Sequence, residues 1–413
     1  MGAMPAISVA DPLLSVAPES VGVDAAVLSE IDGRMQSYVA DEKLAGMVLL
    51  VAREGKVAHA GVYGKMDVEA GIPMRRDALF RIYSMTKPIT GAALMTLYDE
   101  GRFKLDDPVA KYLPGFEQMK VFAGDDGGKV KLVDAKRPIT IRDLMCHTAG
   151  LAYGLFPTPV DVMYRDAKLL DSKQNLQSMV ERLLKLPLAS QPGEKWMYSI
   201  AVDVQGRLIE VLSGKPLDVF FAERVFKPLA MNDTAFFAPA DKLDRMTVNY
   251  GKKDGRLSPV DGSKTSQFAT KPAFLSGGGG LVSTADDYLR FAQMMLNRGQ
   301  LDGARILKPE TVDLMTRNHL PDELVPIRLG PISMANTGFG LDFSVKVKTG
   351  EGEPAGSLGE YGWGGAASTL FFVAPREDLI CVGMTQFMPA TPTFVQDART
   401  KLYTAVREPA AAK

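Results

Sequence analysis

Ser84-Met85-Thr86-Lys87 sets a serine and a lysine three positions apart, at the junction of a strand-like run and a helical one. Upstream, Asp77–Tyr83 is short and rich in β and aromatic formers. Downstream, residues 89–100 carry Ile89, Ala92, Ala93, Leu94, Met95 and Leu97 at helical spacing and stop at Gly101. Positions i and i+3 share a helix face, so Lys87 is expected beside Ser84 over the first turn. The free N–H groups and positive dipole end there favour developing negative charge and disfavour an ammonium. A lysine so placed can lose its proton near neutral pH and act as base toward the serine, which a nucleophilic serine without histidine requires. The plainer alternative is a serine N-cap and a surface lysine. A pattern fixing two positions arises by chance about once or twice in a chain this long.

A serine nucleophile also needs a proton acceptor, an oxyanion hole and a wall against water. Tyr198, in Trp196-Met197-Tyr198-Ser199-Ile200 just after the Gln191-Pro192-Gly193 loop, offers a phenol. Its plainer reading is a half-buried aromatic with its hydroxyl on a carbonyl. Ser276 through Gly280 allows close approach of backbone to a ligand. Tyr361-Gly362-Trp363-Gly364-Gly365 opens an edge before a strand, where an N–H can face a substrate; Trp363 is otherwise a packing residue.

These segments resemble serine enzymes of the class C β-lactamase and penicillin-recognising fold, and among them the family VIII carboxylesterases. Ser84-Met85-Thr86-Lys87 followed by Pro88 matches the first motif. Tyr198-Ser199-Ile200, with Pro192-Gly193 before it and Asp203-Val204 after it, matches the tyrosine motif as esterases carry it. Trp363-Gly364-Gly365 matches the third motif, Lys-Thr-Gly in β-lactamases and often Trp-Gly-Gly in these esterases. Thr140–Leu151 and Gly278–Phe291 look like further signatures, and the likeness runs in order from about Ala45 to Met384. It implies an acyl-enzyme on Ser84, a coupled proton relay of Lys87 and Tyr198, and an oxyanion hole from the Ser84 and Ala366 N–H groups. Two departures favour an uncharged ester over a penicillin. Ile200 stands where β-lactamases carry an asparagine that could bind an amide carbonyl. Trp363 stands where they carry a lysine for a carboxylate. The literal Lys348-Thr349-Gly350 is followed by polar Glu351–Gly356 and reads as a chance match.

Tyr83, Tyr153, Phe156 and Trp363, with Gly364 and Gly365, are the expected substrate pocket, apolar enough for short- to medium-chain carboxylic esters. A class C-like β-lactamase or D-amino peptidase, an acyltransferase to an alcohol, and an inactive binding protein remain the alternatives. Other chemistries have less support. There is no G-x-S-x-G elbow. His59, His147 and His319 are scattered without metal-ligand spacing and read as structural. Neither a Walker A run nor G-x-G-x-x-G occurs. No cofactor and no metal are expected.

The elements that must position these residues alternate in type. Residues 1–24 read as a loose lead-in, and Ala25–Tyr38 as a helix. Gly46–Ala52 and Val57–Tyr63 read as a hairpin whose first strand is buried on both faces. The middle reads as helical: after the Ser84 helix come one starting at Leu105–Val109, then Thr140–His147, Asp203–Leu212 and Leu217–Val225. Residues 124–138 read as a surface excursion. Late helices are expected from a capping-box start at Ser283–Asp286 through Leu296 and over Phe394–Val406, with strands Ala367–Val373 and Leu379–Thr385 between them. The expectation is an α+β protein: an antiparallel sheet flanked by helices, built from 24–83 and 275–408, with a mainly helical insertion of 84–274 and the site at their interface.

At 413 residues, 46% hydrophobic and 23% charged, the chain has the composition of a soluble globular protein of two lobes. A net charge of −1 gives no reason to expect nucleic acid or an anionic membrane as partner. The partner expected is a small-molecule ester. No Lys or Arg precedes Arg34 and no apolar h-region follows a basic one, so a cytoplasmic location is expected. Cys146 and Cys381, each in apolar company, read as buried free thiols.

Overall fold

The computed structural model describes residues 13–407 apart from 128, 352 and 392, so the first part of the expected lead-in lies outside the described residues. Its centre is β1 (Gly46–Arg53), a strand buried along its whole length. Side chains alternate across it: Val48, Leu50 and Ala52 join one apolar cluster, and Met47, Leu49 and Val51 join another. Two layers of helix therefore have to cover it. One is α4 (Ala285–Leu296). The other is the pair α1 (Ala25–Ala40) and α5 (Thr393–Ala405).

The hairpin to β2 (Lys56–Asp67) turns at Glu54 and Gly55, with φ of 53° and 72°; two positive φ values match the strands' right-handed twist. With β3 (Ile72–Pro73), β4 (Thr337–Phe339), β5 (Ser344–Lys346), β6 (Tyr361–Gly364), β7 (Leu370–Ala374) and β8 (Leu379–Thr385), these form one eight-stranded antiparallel sheet. Its order is β4-β5-β6-β7-β8-β1-β2-β3. Pairing of β1 with β8, from Met47–Thr385 to Arg53–Leu379, joins the early and late parts of the chain.

Among the described residues the stretch 84–274 contributes no strand to this sheet; it carries α2 (Thr86–Asp99) and α3 (Ala201–Ser213). Every residue of α2 from Thr86 to Leu97 is buried, so this helix runs through the core rather than along its surface. The larger apolar cluster is continuous from β1 through α2 to Leu208 of α3. Both cysteines are buried free thiols, and their burial raises their pKa. Among the described residues no helix is long and apolar enough to cross a membrane.

Three local expectations are corrected. The helix expected from Leu105–Val109 is a single 3-10 turn at Val109–Lys111. Pro108 is extended (ψ 135°) and bridges Thr140, which uses the backbone that a helix start would need. Most of the excursion at 124–138, exposed as expected, is ordered as an antiparallel ribbon rather than a loop, Lys120–Asp126 against Lys129–Asp134. The strand expected from Ala367 begins at Leu370, because Gly365 N–H closes a turn on Thr369 O at 2.7 Å with Ser368 at φ 65°.

Candidate active site

Ser84 occupies a 3-10 turn, Tyr83–Met85, that runs directly into α2. Tyr83 has φ 41°, a left-handed conformation that a tyrosine rarely holds, so the surroundings must impose it. They do so from both sides. Ile82 N–H bonds Leu281 O at 3.0 Å, Phe80–Arg81 pairs with Val282–Ser283, and the Tyr288 hydroxyl donates to Met85 O at 2.8 Å. Residues 277–281 then lie along α2. Leu281 N–H reaches Thr86 Oγ1 (3.2 Å), Thr90 Oγ1 donates to Gly277 O (2.7 Å), and Lys87 Nζ donates to Gly278 O (2.5 Å). The same glycines also pass close to α3. A Cβ on Gly277 would lie 2.7 Å from Val202 O, and one on Gly278 would lie 2.6 Å from Asp203 Oδ2.

The second wall is the segment leading to Tyr198. Met197 N–H bonds His147 O (2.8 Å) and Ile200 N–H bonds Ala152 O (3.0 Å), which brings Tyr153 and Tyr198 to one place. The Tyr198 hydroxyl donates to Ser84 Oγ at 2.6 Å, and Lys87 Nζ lies 3.3 Å from the same oxygen and 3.1 Å from Tyr153 OH. Lys87 also sits 4.7 Å from the Tyr198 ring centre and 5.0 Å from that of Tyr153. Trp363 Nε1 is 3.5 Å from Tyr198 OH, with the rings 5.5 Å apart. His147 is buried behind them, its ring 5.1 Å from that of Tyr198 and its Nδ1 3.0 Å from Ser199 Oγ. Burial, aided by the nearby Lys87 charge, lowers its pKa well below the usual histidine value.

The third wall is the end of β6. Gly365 packs against Ile82 so closely that a Cβ there would lie 2.3 Å from Ile82 O, and Thr369 Oγ1 donates to that carbonyl at 3.3 Å. Ala366 is thereby held next to the turn that carries Ser84. Among the described residues neither the Ser84 nor the Ala366 N–H is given to a backbone acceptor.

One electrostatic expectation is corrected. Burial opposes the Lys87 ammonium, but Tyr153, Tyr198 and Asp203 together outweigh it, and the lysine pKa stands above its ordinary value. The helix start does not decide the matter, because oxygens enclose the group on its other sides. Tyr153 is likewise raised, by burial first. In the resting site Ser84 Oγ therefore accepts from two donors, and one proton must leave the network before the serine can act as nucleophile.

Of the expected pocket residues, Tyr153 and Trp363 contact the Lys87–Tyr198 pair directly. The Tyr83 ring stands edge-on to Phe268 at 5.7 Å, and Phe156 lies against Gly330. Gly364 is half-buried at the end of β6, paired with Leu370. Lys348-Thr349-Gly350 lies outside any strand. Sequence reasoning gave Tyr153 a place in an apolar wall; its hydroxyl on Lys87 makes it a polar partner too. Asp203 was counted in the tyrosine motif but its side chain was given no role, although an acid between Val202 and Val204 at the start of an apolar helix is a readable signal. Among the described residues no cluster of His, Cys, Asp or Glu is placed to hold a metal ion.

A Beta-lactamase family model matches residues 31–405, and the chain belongs to that family. It is 38% identical over 353 residues to an uncharacterised protein of Mycobacterium tuberculosis, covering 84% of this chain and 86% of that one. It is 34% identical over 302 residues to esterase EstB of Burkholderia gladioli, covering 67% and 72%. Among solved structures, EstCE1, a hydrolase with promiscuous acyltransferase activity, superposes with a TM-score of 0.78 at 26% identity, covering 93% of this chain and 99% of that one.

Proposed function

We propose that this protein is a serine carboxylesterase that cleaves short- to medium-chain carboxylic esters through an acyl-enzyme on Ser84. The observation that carries the reading is the shared oxygen: Ser84 Oγ within 2.6 Å of Tyr198 OH and 3.3 Å of Lys87 Nζ, in a buried aromatic setting. With one proton removed from the Lys87–Tyr198 pair, that pair takes the Ser84 proton as Oγ attacks the ester carbonyl. The N–H groups of Ser84 and Ala366 stabilise the oxyanion. The proton taken from Ser84 passes to the departing alkoxide, which leaves as alcohol. Water then attacks the acyl carbon, giving a proton to the pair; the pair passes that proton to Ser84 Oγ as the acyl–oxygen bond breaks, which releases the carboxylic acid and free Ser84. The likeness to an esterase and to a hydrolase with acyltransferase activity supports this chemistry.

Ile200 and Trp363 favour an ester over a β-lactam, since neither supplies the amide or cation that a β-lactam would use. Transfer of the acyl group to an alcohol is the second reading, favoured by the activity reported for EstCE1. The test is hydrolysis of p-nitrophenyl butyrate by wild type and Ser84→Ala, with a chromogenic cephalosporin in parallel and an added alcohol as competing acceptor. Ester turnover lost in the variant, with little cephalosporin cleavage, is the expected result. Efficient cephalosporin cleavage would reassign the protein as a β-lactamase. Alcohol ester outrunning free acid would reassign it as an acyltransferase.

A further inference from the structure

Asp203 has no part in the chemistry described so far, yet it is fully buried in the first turn of α3. Its Oδ1 accepts from Ser276 Oγ at 2.6 Å and from Gly278 N–H at 3.1 Å. Its Oδ2 has no hydrogen-bond partner. Gly278 is the same residue whose carbonyl receives Lys87 Nζ at 2.5 Å. The position of an added Cβ on Gly278 lies 2.6 Å from Asp203 Oδ2 and 3.0 Å from Tyr153 OH, so both oxygens border one point on that glycine. Tyr153 OH in turn is 3.1 Å from Lys87 Nζ. The carboxylate thus reaches the lysine by two short routes, through Gly278 and past Tyr153.

A buried carboxylate with one oxygen unpaired is costly unless an opposite charge compensates it. Lys87 is the cation that acts on it. The other titratable groups bearing on Lys87 are Tyr153 and Tyr198, His147 held neutral, and Asp342, whose carboxyl burial pushes well above its usual value toward the neutral acid. Asp203 stands above its ordinary value because burial outweighs the pull of Ser276, Lys87 and Gly278 in the other direction.

We infer that Asp203 is a positioning residue for the Ser84–Lys87–Tyr198 relay. It fixes Gly278 so that the carbonyl aims at Lys87, and its buried charge sets the pH at which the Lys87–Tyr198 pair gives up a proton. The inference rests on the reading of Ser84 as nucleophile. Removing the negative charge makes the protonated pair less favourable, so the pair deprotonates, and Ser84 becomes reactive, at lower pH.

The experiment is the rate of Ser84 modification by a fluorophosphonate as a function of pH, in wild type and Asp203→Asn, with the modified residue mapped by mass spectrometry. Asparagine keeps an acceptor oxygen for Ser276 and Gly278 and removes only the charge. The acid limb is expected to move down by about one to two pH units, as for one charge several ångströms away at an effective dielectric of ~20. Ser276→Ala takes one donor from the carboxylate, which draws a proton onto it, and is expected to move the limb the same way by less; it carries the test if Asp203→Asn does not fold. An unmoved limb, even with a lower rate at every pH, would make Asp203 a purely structural residue and overturn the inference. No modification of Ser84 in wild type would overturn the nucleophile reading and this inference with it.

Discussion

At the scale of single residues, the proposed chemistry turns on a proton that Ser84 must lose while Lys87 holds its own tightly. Tyr198 and Lys87 both donate toward Ser84 Oγ, and the lysine is raised above its ordinary value. Turnover of a neutral ester is therefore expected to increase as pH rises above neutrality, toward deprotonation of the pair. A kcat/KM profile from pH 5 to 10 checks this, and a profile that falls across the range would contradict it. Tyr198→Phe keeps the ring packed on Trp363 and removes the hydroxyl. It is expected to lower kcat by roughly 10²–10⁴, the usual worth of a positioned acid–base group, with a smaller change in KM. That Ser84, Lys87 and Tyr198 come together was legible in the sequence because the proposed chemistry fixes residue type and local spacing. The lysine's protonation was not, because it depends on Tyr153, Gly278 and Asp203, which only the fold brings to it.

At the scale of elements, close backbone contacts place the catalytic side chains. Gly365→Ala would push a methyl group to 2.3 Å from both Ile82 O and Thr369 Oγ1, so the Ala366 N–H must move away from Ser84. The expected result is a loss of about 10²–10³ in kcat, the worth of one oxyanion donor, together with a lower Tm. Steady-state kinetics and a thermal melt on the same sample check it. The helix that begins at Thr140 carries a reciprocal capping box with Asp143, and Asp143 is further held by Arg137. Thr140→Ala is expected to cost about 1 kcal/mol, read from urea unfolding, with kcat little changed. The β1–β2 hairpin, β8, α2, α3, α4 and α5 were readable because their apolar periodicity extends over several turns or residues. The ribbon near 120–134 and the lost helix after Leu105 were misread where a pattern a few residues long competes with long-range pairing.

For the whole molecule, the continuous core places carboxyl groups where they pay for burial in their titration. Asp287, in the first turn of α4, accepts from Thr234 Oγ1 and Asp233 N–H, and burial pushes its carboxyl up to about 7. A folded-state pKa above the unfolded one gives stability that is complete below about 4 and is lost as pH rises through about 7. Asp287→Asn has no such dependence, so its stability relative to wild type, and with it its relative Tm, is expected to rise between pH 5 and pH 8, by at most about 3 kcal/mol in stability. Melts at the two pH values check this, and a constant difference would contradict it. Such a group is invisible to sequence reading, since nothing near Asp287 in the chain signals that Asp233 and Thr234 will close over it.

The most direct test of the central claim is intact-mass spectrometry of the protein quenched during turnover of p-nitrophenyl butyrate. A butyryl adduct mapped to Ser84, absent from Ser84→Ala, is the predicted result. Ester turnover without an adduct, retained in Ser84→Ala, would contradict an acyl-enzyme on Ser84 and remove the basis for the relay.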